Sequence, residues 1–170
     1  NIPVYQGALK TETYRTDGLA PFQKFEISSE SVDTETLSVS VFETENQLNG
    51  TSYTFFNKIN ETRPDSQVYF YSENNFGRYE IYFGDNYLGK RPESGSKVLA
   101  EYLVTDGKEA NGITNFSPSG SINNLSGISI SRSTGSERSI GGSDKETLES
   151  IRFNAPISYA TQDRAVTADD

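Results

Sequence analysis

Over three separate runs of this chain, apolar side chains recur at every second position. In residues 37–41, Leu37, Val39 and Val41 alternate with Ser38 and Ser40. Such alternation presents one face of a strand to a core and the other to water. Residues 79–83 repeat the pattern with Tyr79, Ile81 and Phe83 on one face, and residues 98–104 repeat it with Val98, Ala100, Tyr102 and Val104. Val68, Tyr69, Phe70 and Tyr71 are apolar or aromatic at consecutive positions, as in a strand covered on both faces. Weaker strand signals cover residues 4–14, 22–27, 53–56 and 128–130. Asp17-Gly18, Asn49-Gly50, Asp106-Gly107 and Asn111-Gly112 punctuate the runs with residues that tolerate positive φ. Strands separated by short turns, with no helical crossover visible, predict an antiparallel β-rich domain over residues 1–130.

The composition changes after Leu125. Residues 131–143 are rich in Ser and Gly and read as a loop or linker. Ser143 with Glu146 fits a capping box, which predicts a short helix from Asp144 with Leu148, Ile151 and Phe153 on its buried side. Pro156 is expected to stop it, because its ring disfavours helical geometry at Ala155. A helix this short is marginal in water and is expected to dock on something. Thr167, three residues ahead of Asp170, reads as the start of a further, truncated helical segment. With no Met in the chain, this predicts a piece of a longer protein. The expected fold class is α+β and β-dominated: an antiparallel β domain over 1–130, a linker over 131–143, and a helical segment over 144–170.

Charge and inventory narrow the chemistry. Lys and Arg total 15 against 24 Asp and Glu, a net charge of −9, which argues against holding a phosphate backbone. The chain has no His and no Cys, so His- and Cys-dependent catalysis, disulfides and thiolate or imidazole metal sites are excluded. No apolar run approaches a membrane span, and no signal-peptide pattern is present. Residues 25–57 carry Glu26, Glu30, Asp33, Glu35, Glu43 and Glu45 with no Lys or Arg. This stretch reads as a solvated face that protects a sheet edge, with a patch for a basic partner as the alternative.

Glu80, Asp85 and Glu101 are the carboxylates that a glycosidase-like pair would draw on, but nothing in their spacing sets two of them across one bond. Asp85-Asn86 with Gly89 has the look of an oxygen-ligand loop, yet it lacks the alternating acids and distal bidentate Glu of a calcium loop, so it reads as a turn. The Asn-x-Ser/Thr triplets at Asn49, Asn60 and Asn124 read as polar loops. No catalytic, cofactor-binding or metal-binding residue is assigned, and the chain is not expected to be an enzyme.

Several blocks resemble the baseplate wedge proteins of contractile-tailed, T-even-like bacteriophages and the wider baseplate-J-like family. They are Ile2 to Gly7 (IPVYQG), which is similar to the family's lead-in strand; Phe25-Glu26-Ile27; Val32 to Val41 (VDTETLSVSV); and Gly77 to Gly89 (GRYEIYFGDNYLG). Pro92, Gly95, Val98, Tyr102, Gly107, Asn111 and Gly112 follow, then Gly141 to Glu149 (GGSDKETLE), Ile151-Arg152, Ala155-Pro156 and Arg164 to Asp170 (RAVTADD). The blocks come in the family's order. Where this chain has Asn86 the family usually has Gly. A tight turn there needs positive φ, which Asn tolerates at a cost on the order of 1 kcal/mol.

The resemblance implies a structural protein of the virion's tail baseplate, assembled in the host cytoplasm. It implies pairing with another copy of itself and with other wedge subunits, in a ring around the hub, with no cofactor. A carbohydrate-binding β module of a phage or bacterial surface protein is the first alternative and a tail-associated hydrolase the second.

Overall fold

The computed structural model describes residues 5–17, 22–44, 47–57, 62–114 and 138–161. The chain forms two compact units, Asn1–Asp106 and Gly107–Asp170. The first is a single seven-stranded sheet. Its strands are β1 (Ala8–Arg15), β2 (Phe25–Glu26), β3 (Val32–Phe42), β4 (Thr51–Phe55), β5 (Val68–Glu73), β6 (Tyr79–Phe83) and β7 (Lys97–Val104). Their order across the sheet is β1-β7-β3-β4-β5-β6-β2.

The β-dominated α+β class expected from the period-two runs is what the chain adopts. Leu37, Val39 and Val41 of β3, Ile81 and Phe83 of β6, and Val98, Ala100 and Tyr102 of β7 are all buried. They join Phe25, Ile27, Tyr53 and Tyr69 in one core, against which Tyr14, Tyr71, Tyr79 and Val104 pack. The sheet is antiparallel except at one place. β4 and β5 run parallel, pairing Thr54 with Val68 and Phe55 with Tyr69. The long connection between them supplies the crossover that a parallel pair needs and a hairpin cannot give.

The ends of the sheet meet. β1 and β2 lie at opposite ends of the strand order, yet the Tyr14 and Phe25 rings are 5.2 Å apart. The Tyr14 hydroxyl oxygen lies 2.9 Å from the Glu26 carbonyl oxygen. Among the described residues no backbone ladder joins these strands, so side chains close the curl.

A bulge interrupts β3. Its pairing with β7 shifts register between Asp33 and Ser38. The bulged backbone is satisfied locally: Thr36 Oγ1 accepts from the Leu103 N–H at 3.0 Å and donates to the Asp33 carbonyl at 2.8 Å. The Asp33 carboxylate accepts from the Glu35 N–H at 3.1 Å. Side-chain acceptors of this kind let a bulge persist without orphaned donors.

In the second unit a 3-10 turn (Gly107–Ala110) precedes a return of the chain, in which Ser139 exchanges backbone bonds with Gly112 and Ile113. The helix α1 (Leu148–Thr161) corrects two expectations. It begins after Thr147 and not at Asp144: the Thr147 hydroxyl accepts from the Ser150 N–H at 3.3 Å, so Thr147 takes the capping role assigned to Ser143. It also continues through Pro156. A proline inside a helix removes one N–H donor and strains one turn, a penalty that a run bonded on both sides can absorb. Ile151 and Phe153 were expected on a buried face; both are exposed, at 47% and 73%. The strand signal at 128–130, the helix start at Thr167, and Asn60 and Asn124 lie outside the described residues.

Candidate functional site

The three carboxylates raised by the sequence do not converge. Glu80 alternates with the inward Ile81 on β6, so it points outward, where the Lys24 ammonium meets it at 2.7 Å. Glu101 lies between the buried Ala100 and Tyr102 on β7, so it too faces out. β6 and β7 are three strand steps apart even by the shorter way round. At about 4.8 Å per step that is well beyond the roughly 5–9.5 Å between the carboxyls of a glycosidase pair.

Asp85 serves a turn. Its carboxylate accepts from the N–H groups of Leu88 at 2.9 Å and Tyr87 at 3.0 Å, and those bonds lower its pKa from the ordinary aspartate value. Asn86 adopts φ 70°, as the turn requires, and its side-chain oxygen accepts from the Arg91 N–H at 2.8 Å. Among the described residues no three acids come close enough to hold a metal ion.

The acidic run over 25–57 divides into two groups. Glu26 and Glu30 both face Arg78, at 2.8 and 3.8 Å, and Glu43 pairs with Lys90. These pairs are surface-exposed and worth little energetically, and their two cations offset only part of the charge of the three carboxylates. Among the described residues no cation reaches Asp33 or Glu35. Two acids of the run that no cation reaches among the described residues, Asp33 and Glu35, therefore lie at the β3 bulge.

The aromatic run on β5 is shared between the two faces of the sheet. Val68 and Tyr69 are buried, as a covered strand requires. On the outer face Phe70 stacks on Tyr82 at 5.2 Å and meets Phe56 at 4.7 Å, with the Lys24 ammonium 5.9 Å from the Tyr82 ring. On the inner face Phe55 stacks on Tyr71 at 4.6 Å, and Tyr71 meets Tyr79 edge-on at 5.7 Å. Phe55 remains 43% exposed.

An open groove of about 480 Å³ brings the two themes together. Thr34, Glu35, Leu37 and Ser38 of the bulge form one wall, Tyr53, Thr54 and Phe55 of β4 one end, and Tyr69 and Tyr71 of β5 the other wall. The groove exists because β4 is short. β4 pairs with β3 only at Val39, Ser40 and Val41, then swings over to β5. Beyond that point β3 and β5 flank a gap one strand wide. The Tyr69 hydroxyl reaches across it to donate to the Leu37 carbonyl at 2.9 Å. The sequence marks the aromatic and acidic residues separately. Their meeting depends on the parallel turn of β4, which no local pattern announces.

No protein-family model matches the chain. In an alignment 124 positions long that takes in 62% of its length, the chain is 32% identical to the baseplate wedge protein gp6 of Enterobacteria phage T4. The alignment covers 19% of that protein, so the chain spans about a fifth of its relative's length. By that alignment the chain is similar in sequence, over part of its length, to a phage baseplate wedge protein.

Proposed function

We propose that this chain is part of a structural subunit of a phage tail baseplate wedge. It acts by non-covalent contact with a second copy of itself and with other wedge subunits, forming the ring around the hub. Its place is the tail baseplate of the virion, after assembly in the host cytoplasm, and it performs no catalysis and uses no cofactor. The alignment with the T4 baseplate wedge protein carries this reading. The outward, ion-paired or turn-bound state of Glu80 and Asp85 is consistent with it.

The test is position in the particle. A map of the intact virion should place this polypeptide in the end plate of the tail, in contact with a second copy; density elsewhere overturns the reading. Turnover of a cell-wall substrate, lost on replacing Glu80 or Glu101, would replace it with the hydrolase reading. The same proposal keeps residues 1–130, 131–143 and 144–170 as the domain division. Limited proteolysis tests that: cleavage within 131–143 that leaves a stable core supports it, and a stable core ending near residue 106 replaces it.

A further inference from the structure

We infer that Asn49, in the loop between β3 and β4, is a site of spontaneous deamidation through attack by the Gly50 backbone nitrogen, and that the other Asn-Gly pair of the chain, Asn111-Gly112, is locked against the same reaction. The inference does not depend on the baseplate reading.

The chemistry needs only the two residues and water. The Gly50 nitrogen attacks Cγ of Asn49 and gives up its proton; the new N–Cγ bond closes a succinimide ring, and the Cγ–Nδ2 bond breaks to release ammonia. Water then opens the ring. Addition at Cγ breaks the new bond and leaves aspartate. Addition at the Asn49 main-chain carbonyl breaks the original peptide bond and leaves isoaspartate, with the chain running through Cγ. One amide and one water become a carboxylate and ammonia, with no change of oxidation state. Glycine favours the attack because no β carbon shields its nitrogen or restricts its backbone. Both pairs carry this chemistry, so the sequence alone does not choose between them.

Exposure does not choose either, since Asn49 and Asn111 are both exposed. Hydrogen bonds do. The Asn111 amide donates to the Gly142 carbonyl at 2.7 Å, and its side-chain oxygen accepts from the Gly142 N–H at 2.9 Å. The would-be nucleophile, the Gly112 N–H, donates to the Ser139 carbonyl at 2.8 Å. Ring closure at Asn111 must break this clamp first. At the other pair, among the described residues, neither the Asn49 side chain nor the Gly50 N–H has a hydrogen-bond partner. The loop is anchored only to either side of them. The Glu43 N–H donates to the Gln47 side chain at 3.0 Å, the Gln47 N–H donates to the Thr44 carbonyl at 3.2 Å, and the ladder resumes where Thr51 faces Val41. Glycine is required at 50 for a separate reason: a β carbon there would lie 2.7 Å from the Phe42 ring. The packing that demands glycine is thus what leaves its nitrogen open. Each conversion adds a negative charge to a chain already at −9, and the isoaspartate route lengthens the backbone just ahead of β4.

The experiment incubates the intact chain at mildly alkaline pH, folded and in urea, and maps each Asn by digestion and mass spectrometry, with isoaspartate read by methyltransferase labelling. In the folded chain Asn49 should convert at least roughly tenfold faster than Asn111, because each hydrogen bond that must break first adds to the barrier. In urea the two rates should converge. Asn49→Gln changes an exposed, unbonded side chain to one that closes its ring far more slowly, so the early release of ammonia and the acidic shift on isoelectric focusing should disappear. Equal conversion of the two sites in the folded chain, a ratio that urea leaves unchanged, or an early phase that survives Asn49→Gln each overturns the inference.

Discussion

Glu12 on β1 accepts both the backbone N–H of Ser28, at 3.2 Å, and its hydroxyl, at 2.6 Å, across the seam where the two ends of the sheet meet. The Tyr14 and Tyr102 hydroxyls donate to the same carboxylate. Partial burial works to raise its pKa, but the bonds from Ser28, Tyr102 and Tyr14 together outweigh it and hold the acid below its ordinary 4.5. A depressed folded pKa means that the seam's contribution is complete above pH 4.5 and lost as pH falls through the lower, folded value. Tyr102 works in the opposite direction: burial and then its bond to Glu12 push its hydroxyl up to about 12 from 10, so its contribution is complete below pH 10 and lost as pH rises toward 12. Glu12→Gln should cost roughly 2 kcal/mol at neutral pH, the scale of charge-assisted hydrogen bonds. Urea midpoints measured from pH 7 down to pH 3 should converge for the two proteins. Equal midpoints at pH 7 would show that this carboxylate does not hold the seam.

The turn after β6 gives a graded series. A β carbon on Gly84 would lie 2.3 Å from the carbonyl oxygens of Gly89 and Leu88, both fixed backbone atoms. Gly84→Ala should therefore cost roughly 2 kcal/mol or more, at the upper side of overpacking penalties. Asn86→Ala keeps a side chain at φ 70° and loses the acceptor for the Arg91 N–H, for roughly 1–2 kcal/mol. Asn86→Gly loses the acceptor but relieves the backbone and should cost least. Thermal denaturation of the three variants should give that order, and a reversal of the first two would mean that the turn moves to admit the Gly84 methyl.

Most of the sheet is legible in the sequence because period two is a local property. Leu37, Val39 and Val41, or Val98, Ala100 and Tyr102, need only their own neighbours to declare a face. The positive φ at Asn86 is legible through the resemblance, since the family usually has Gly there, and Gly84 and Gly89 bracket the turn. What escapes is everything set by the choice of partner. Nothing near Tyr53 says that β4 leaves β3 after Tyr53 and turns parallel to β5, and the groove follows from that switch alone. The seam is hidden likewise, since Glu12 lies on β1 and Ser28 just past β2, at opposite ends of the sheet. Pro156 misled because a local rule was applied to a helix whose bonds on either side carry it through.

Tyr69 offers a test of how dry the groove floor is. Its hydroxyl stands in for the strand that would otherwise bond the Leu37 carbonyl. Burial pushes its pKa up to about 12. Tyr69→Phe keeps the ring and its packing but leaves that carbonyl without its donor, a loss of roughly 1–3 kcal/mol when no other donor replaces it. Urea unfolding should show a lower midpoint with an unchanged slope. A change under about 0.5 kcal/mol would mean that water entering the groove already serves the Leu37 carbonyl, since a typical intramolecular bond nets at least that much.

The helix α1 is open to the converse manipulation. Pro156 has no N–H to give the carbonyl four residues back, at Arg152, and a proline in a helix interior costs roughly 3 kcal/mol relative to alanine. The start of the helix is held by Thr147, whose carbonyl accepts from the Ile151 N–H at 3.0 Å and whose hydroxyl accepts from Ser150. Glu146 adds a clasp, accepting from the Ser150 hydroxyl at 2.6 Å and the Asn154 amide at 3.1 Å, and those two bonds lower its pKa. Pro156→Ala should deepen the helical circular dichroism minimum at ~222 nm and raise the melting temperature of that signal. Thr147→Ala should act oppositely, by about 1 kcal/mol. Because the lowered pKa of Glu146 makes its clasp complete only above the ordinary glutamate value, the helical signal of the wild type should weaken on acidification, and that of Glu146→Gln should change less. If Pro156→Ala leaves the 222 nm signal unchanged, the turn around Pro156 is not helical in solution and α1 ends where the proline rule first placed it.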